Sequence, residues 1–157
     1  MSQNLTRDQL RSQHAFKSVK GVLGIVKKQI DDAGSDEKRQ GKAKKYPQEY
    51  LSYANSLPAN IVMNGLGQAC AMLLAQAKGK QANEDAHRLL YDHLHGWLCQ
   101  GEHAVYANQA CLVQAVIGSG QRQYIRAQVE ALAYLEWLKK FAQAYLSEVE
   151  AQDGKTE

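Results

Sequence analysis

The strongest metal-binding pattern in the sequence is Asp92, His95 and Cys99, at positions i, i+3 and i+7. On an α-helix these side chains share one face, and their carboxylate, imidazole and thiolate groups can all bind Zn²⁺. The same face carries Arg88, four residues before Asp92, which is the spacing of an ion pair on a solvated helix. Because no CxxC or HxxxH pair accompanies the three residues, we expect a polar helix face and predict no metal or other cofactor.

Other patterns that could support catalysis are weak. The segment Asn64-Gly65-Leu66-Gly67 lacks the spacing of a dinucleotide-binding turn, and Gly79-Lys80 is not followed by the Ser or Thr of a P-loop. Nucleophilic catalysis needs a nucleophile, a base and an orienting group that meet in space, and no local pattern predicts that convergence. The sequence therefore predicts a protein that is not an enzyme.

Positive charge is concentrated in the first third of the chain. Residues 1–45 contain eleven Lys or Arg against five Asp or Glu, whereas residues 46–157 contain eight against eleven. Such an asymmetry is typical of a surface that binds a polyanion. A basic amino end that only improves solubility would give the same count, so charge alone leaves both interpretations open.

The first helix should separate an apolar face from a basic one. An apolar stripe recurs at helical spacing, and the opposite side carries Arg7, His14, Lys17 and Lys28, with Arg11 beside them. The stripe consists of Phe16, Val19, Leu23, Val26 and Ile30. Residues 33–45 are polar and aperiodic, and we predict that they form a basic flexible loop. The predicted nucleic-acid-binding residues are Arg7, Arg11, Lys17, Lys28, Lys42, Lys44 and Lys45, with Arg122 and Arg126 as further candidates.

Three tyrosines, Tyr46, Tyr50 and Tyr53, follow the predicted loop. They could stack on bases, although a tyrosine-bearing helix face buried in the core is the favoured alternative.

The remaining periodicity is helical throughout. We predict helices over 47–56, 58–77, a segment from about 83, 104–117 and 121–150, and no strand. In the last helix, Ile125, Val129 and Leu132 form a second apolar side that either the bundle or a partner should cover. The fold class is therefore all-α, a single-domain bundle of about six helices over residues 1–157, with a disordered tail at 151–157. The polar start, the odd number of cysteines and the lack of a long apolar run predict a cytoplasmic protein without membrane contact.

Two stretches of the sequence, from Leu57-Pro58 to Gln68-Ala69 and from Glu130 to Ala142, carry a family resemblance. Both resemble the small subunit of the type III-B CRISPR (Cmr) RNA-targeting complex, and the second is similar to that family's carboxy-terminal helix. Members often carry a basic residue just before Asn-Gly, where this chain has Val62 and Met63, so we assign no RNA contact there.

The resemblance implies a non-catalytic helical protein that holds target RNA while other subunits cleave it. It also implies the partners: the backbone and large polymerase-like subunits of the Cmr complex, further copies of the chain stacked along the backbone filament, and crRNA-paired target RNA. A protein–protein adaptor without RNA contact is the alternative.

Overall fold

The computed structural model describes residues 4–147, and within that range it contains six α-helices and no strand. The helices are α1 (Arg7–Ala33), α2 (Glu37–Asn64), α3 (Leu66–Ala77), α4 (Ala86–Cys99), α5 (Leu112–Gly118) and α6 (Gln121–Leu146). The three long helices α1, α2 and α6 pack against one another, while α3 and α4 pack together and against α2. The predicted all-α, single-domain bundle of about six helices is confirmed. The predicted tail at 151–157 lies outside the described residues.

A capping box fixes the start of α1. The Thr6 side chain accepts a hydrogen bond from the Gln9 backbone N–H at 3.1 Å, and the Thr6 backbone N–H donates to the Gln9 side chain at 2.8 Å. This capping box satisfies two backbone donors that the first helical turn would otherwise leave without partners.

The predicted flexible loop over residues 33–45 is wrong. Only Gly34–Asp36 separates α1 from α2, because the Asp36 side chain accepts hydrogen bonds from the backbone N–H groups of Lys38 and Arg39 and so begins α2 at Glu37. Ala43, within the second turn of α2, is buried in the core. A strong N-cap and this buried residue outweigh the low helix propensity of a polar, glycine-containing segment.

Both prolines lie inside α2 instead of beginning new helices. A proline removes one helical hydrogen bond, but the nearby residues Leu57 and Ile61 are fully buried and their packing offsets that loss around Pro58. The chain breaks instead at Gly65, whose φ of +86° favours glycine. The N–H groups of Leu66 and Gly67 then donate to side chains of α6, at 3.0 Å and 3.2 Å.

The predicted helix over 104–117 is shorter than expected. Residues 104–111 form turns, and α5 begins only at Leu112. Asn108 has a φ of +65°, which no right-handed helix accommodates. No helix in residues 4–147 is long and apolar enough to cross a membrane.

The core-facing stripe of α1 is rotated relative to the sequence prediction. Ala15, Val19, Val22 and Val26 are buried, whereas the predicted core residues Phe16 and Ile30 are 38% and 42% exposed. This rotation directs Arg7 and Arg11, in the first two turns of α1, toward α6 and changes the predicted binding face.

Candidate nucleic-acid interface

Arg7 and Arg11 form an internal ion-pair cluster with Glu130 of α6. Arg7 Nε lies 2.9 Å from Glu130 Oε2, and Arg11 Nε lies 2.5 Å from Glu130 Oε1. The indole N–H of Trp97 also donates to Glu130 Oε1, at 3.0 Å. Glu130 itself is only 6% exposed. The prediction that these two arginines point away from the core is therefore wrong.

The geometry of α1 explains the error. Arg7, Arg11 and Ser18 are spaced by whole helical turns with the buried residues Ala15 and Val22, so all of them face the interior. Each guanidinium is held by a carboxylate that has almost no contact with solvent. Because Glu130 pairs with both guanidinium groups and offsets their charge, a phosphate would have to compete with that carboxylate for either arginine.

The protonation of this cluster is fixed by the same contacts. Burial raises the pKa of Glu130, but the hydrogen bonds from Arg11 and Arg7 lower it more, and the net pKa lies below its ordinary value of 4.5. The hydrogen bond to Glu130 likewise raises the pKa of Arg11. Glu130 and Arg11 are therefore both charged at neutral pH.

His14, also predicted on the outer face, belongs to the interior. Its Nδ1 atom lies 2.7 Å from the buried Tyr134 hydroxyl, and its ring packs edge-on against Trp97 at a centroid distance of 5.7 Å. Burial, helped by the positive charge of Lys17, lowers the pKa of His14. The neutral ring contributes packing and a hydrogen bond, not charge.

Most of the other predicted nucleic-acid-binding residues lie exposed at the hairpin formed by α1 and α2. Lys28 is five residues before the end of α1, and Lys42, Lys44 and Lys45 lie within the first nine residues of α2, all of them exposed. At 1.5 Å per residue, all four are within about 12 Å of the hairpin turn along the helix axes. We call Lys28, Lys42, Lys44 and Lys45 the hairpin lysines.

Within residues 27–45, the acidic residues do not cancel the basic charge of the hairpin. Residues 27–45 carry seven Lys or Arg and four Asp or Glu, a net charge of +3. Within the described part of the chain, the side chains of Lys28, Lys42 and Lys45 form no ion pair. Lys17, which precedes Lys28 by eleven residues in α1, is also exposed and has no ion-pair partner among the described residues. These lysines are the part of the predicted binding set that the structure leaves accessible.

The tyrosines after the hairpin do not form a stacking surface. Tyr46 is 3% exposed and Tyr50 is fully buried, with its hydroxyl 2.6 Å from His93 Nδ1. Tyr53 is half-buried and stacks on His87 at a centroid distance of 3.6 Å. The core interpretation is confirmed for Tyr46 and Tyr50.

The three potential metal ligands on α4 are engaged separately. Asp92 Oδ1 accepts from Arg88 Nε at 2.9 Å, as the i+4 spacing predicts, and His95 Nε2 lies 3.2 Å from the Gln109 carbonyl oxygen. Cys99 is buried, which raises its pKa to about 11. Within residues 4–147, no three His, Cys, Asp or Glu side chains come together as a potential metal site.

Sequence reasoning missed an aromatic strip on the surface between α1 and α6. It consists of Phe16, Trp137, Phe141 and Tyr145, with centroid distances between neighbouring rings of 5.6–6.4 Å. The sequence prediction placed Phe16 in a core stripe, but Phe16 is 38% exposed, and Tyr145 and Phe141 beside it are 37% exposed and half-buried. The spacing of the three α6 rings, i, i+4 and i+8, was the signal available.

A second exposed surface is apolar. Val62 and Met63 at the end of α2 are 69% and 81% exposed, and Ile125 and Val129 of α6 are 54% and 61% exposed. A groove between these helices is lined by Pro58, Ala59, Val62, Met63, Leu132 and Ala133. We call Val62, Met63, Ile125, Val129 and Leu132 the apolar patch. Within the described residues, Ile125 and Val129 remain exposed, whereas Leu132 is half-buried and packs against the core. Arg122 and Arg126 are exposed on the same helix as Ile125 and Val129.

Comparisons with known proteins point to one family. The family model described as CRISPR-associated protein (Cas_Cmr5) matches residues 7–145. The chain is also similar to the crystal structure of a CRISPR-associated Cmr5 family protein from Thermus thermophilus, with 25% sequence identity and a TM-score of 0.58. That match covers 89% of this chain and 97% of the other.

Proposed function

Since the chain belongs to the Cmr5 family and is a small subunit of the Cmr CRISPR complex, we propose that it is a non-catalytic subunit whose hairpin lysines hold target RNA. In this role it contributes to defence against foreign nucleic acid. It stacks with further copies of itself along the backbone filament, beside the large polymerase-like subunit.

The observation that carries the RNA-holding role is the group of exposed hairpin lysines. Arg7 and Arg11 are withdrawn from the predicted binding set because Glu130 occupies both guanidinium groups. Lys28, Lys42 and Lys45 retain solvated ammonium groups on adjacent turns of a helical hairpin. Ammonium groups on flexible stems attract phosphates as point charges and do not read bases. The binding we propose is therefore independent of RNA sequence.

Each copy on its own should bind RNA weakly. A few lysine–phosphate contacts release few counterions, so one copy binds weakly, and its log affinity falls with log salt at a slope of only about 2 for three contacts. Copies at fixed spacing along a filament convert later contacts into intramolecular ones, so the assembly holds a strand much more tightly than one copy does.

The test replaces Lys28, Lys42 and Lys45 together by Ala in the full chain, which is then assembled with the other Cmr subunits. The variant should retain less target RNA, and the slope of log affinity against log salt should become shallower by about 2, from three lost phosphate contacts. A matched control, Gln68→Glu, Ala71→Glu and Ala75→Glu on the exposed side of α3, changes the net charge by the same −3. RNA retention equal in wild type and lysine variant would contradict the proposal.

The apolar patch supports the stacking role. Isolated exposed apolar residues are common in monomers, but several large ones that line one groove, as Val62, Met63 and Leu132 do, mark a protein contact. It equally favours the alternative function, an adaptor that touches proteins and no RNA. The lysine experiment separates these functions, because an adaptor would show no salt-dependent crosslinking to RNA.

Polar substitution tests the stacking role directly. Val62→Gln with Val129→Gln should leave folding unchanged, because both side chains are mostly exposed, and should reduce incorporation of further copies into the complex. Ile30→Gln, an exposed apolar residue outside the patch, is the control. Normal copy number in the double variant would exclude the patch as the stacking surface.

A further inference from the structure

Aromatic rings and lysines lie side by side along the outer edge where α1 meets α6. Trp137, Phe141 and Tyr145 follow one another on successive turns of α6, about 6 Å apart along the axis. Phe16 of α1 meets Phe141 and Tyr145 edge-on, at 5.6 Å and 5.8 Å. The rings of the aromatic strip therefore contact one another in one continuous row.

Positive charge lies directly against the aromatic strip. Lys20 Nζ is 4.2 Å from the centroid of the Tyr145 ring and 5.4 Å from that of Phe16. Lys17, one turn earlier on α1, borders a groove that it shares with Phe16 and Phe141. An apolar protein partner would have to desolvate both ammonium groups, whereas a polyanion would benefit from them.

The carboxylates that residues 4–147 place near the strip are already engaged. Asp8 accepts from the Trp137 indole N–H at 3.0 Å and from Arg11 at 3.2 Å. Glu136 pairs with Lys139 at 3.0 Å and with Lys140 at 3.9 Å. Among residues 4–147, the acidic charge beside the rings is thus paired, and Lys17 and Lys20 add positive charge that has no ion-pair partner in that range.

We propose that the aromatic strip is a base-stacking site for unpaired nucleotides of RNA, with Lys17 and Lys20 binding the adjoining phosphates. This inference rests on the proposed RNA-holding function and adds to it a second contact of different chemistry. Aromatic rings beside a basic groove are the arrangement that binds single strands without sequence preference, because every base has a flat face. A duplex would not bind in this way, since its bases are already stacked on one another.

The strip predicts a behaviour that the hairpin lysines do not. Lysine–phosphate binding needs only the sugar–phosphate chain and is the same with or without bases, whereas stacking needs the bases. The two contacts therefore respond differently to an abasic strand of equal length and charge.

The experiment measures binding of the full chain at low salt to a 12-nucleotide mixed-sequence single-stranded RNA, to an abasic strand of the same length, and to the corresponding duplex. Trp137→Leu with Tyr145→Leu removes two rings while keeping apolar bulk and helix propensity. The expected result is a rise in Kd for the normal single strand of about 5- to 150-fold per ring lost, with Kd for the abasic strand unchanged. Tyr53→Leu, a half-buried tyrosine outside the strip, should change neither, and circular dichroism checks that all variants are folded.

Different results would overturn different conclusions. If wild type and the Leu variant bind normal and abasic strands alike, while the hairpin-lysine variant loses both, the stacking site is wrong and the RNA-holding function stands. If the Leu variant binds RNA normally but no longer assembles with other subunits, the strip is a protein contact and the inference is wrong. If the wild-type chain and its assembled complex bind neither strand, the proposed function itself fails.

Discussion

Replacing Glu130 by Gln should destabilise the fold by about 2–3 kcal/mol at pH 7. The carboxylate accepts hydrogen bonds from Arg7, Arg11 and Trp97 while being almost completely buried. Removing one partner of a buried ion pair costs about 3–5 kcal/mol. Here the cost is smaller, because the Arg7 and Arg11 side chains keep 36% and 17% of their exposure and can recover some hydration.

Urea unfolding at equilibrium measures this difference, and the thermal midpoint should fall by about 2–4 °C per kcal/mol for a chain of this length. Glu136→Gln is the matched control, since Glu136 lies on the same helix, is exposed and has only surface ion pairs. Its effect should stay within about 0.5 kcal/mol. A Glu130→Gln variant as stable as the control would refute the internal cluster and return Arg7 and Arg11 to the set of candidate RNA ligands.

The cluster also has a defined pH dependence. Because the folded pKa of Glu130 lies below 4.5, its ordinary value, the folded protein binds fewer protons than the unfolded chain in that range. The contribution of Glu130 to the free energy of unfolding is therefore fully present above pH 4.5 and is lost as the pH falls through the folded pKa. The stability difference between wild type and Glu130→Gln should be largest near pH 7 and should shrink in acid.

Two further predictions concern folding. Gly65→Ala should cost about 1–3 kcal/mol in urea unfolding, because φ is +86° and the added Cβ would lie 2.7 Å from a tyrosine hydroxyl of α6. Gly21→Ala, which meets nothing within 4 Å inside α1, should instead stabilise by about 0.5–1 kcal/mol, and the same result at both positions would contradict the backbone argument. Burial lowers the pKa of His93 to about 3. The free energy of unfolding should therefore fall below pH 6.5, by up to about 1.4 kcal/mol per pH unit, as the unfolded chain takes up a proton that the folded one excludes. In His93→Gln this slope should flatten between pH 6.5 and 4, and an unchanged slope would assign it to other groups.

Local features of the fold were predictable from the sequence, because local chemistry decides them. The capping box of Thr6 and Gln9 needs only residues three apart, and the ion pair of Arg88 and Asp92 needs only residues four apart. The exposed apolar side of α6 was predictable from the spacing of apolar residues within that helix, and Ile125 is one of its residues.

Features that depend on distant residues were not predictable in this way. The α1 sequence fits two apolar stripes that differ by one position, and the packing of α1 against α2 and α6 selects the stripe that contains Ala15 over the one that contains Phe16. The partner of Arg7 and Arg11 is Glu130, more than 115 residues away in sequence, so no local pattern could show that both guanidinium groups are occupied. Residues 37–45 have the composition of a loop, but they form the first turns of α2 because Asp36 caps the helix. Composition alone does not show how strongly such a cap stabilises a helix.

An electron cryomicroscopy map of the assembled complex with bound target RNA would show which cations meet the strand. We predict ammonium groups of Lys28, Lys42 or Lys45 within about 4 Å of phosphate oxygens, while Arg7 and Arg11 remain on Glu130. A map in which every phosphate lies beyond the Debye length of about 10 Å from these lysines, or in which Arg7 and Arg11 leave Glu130 to bind RNA, would contradict the proposed function.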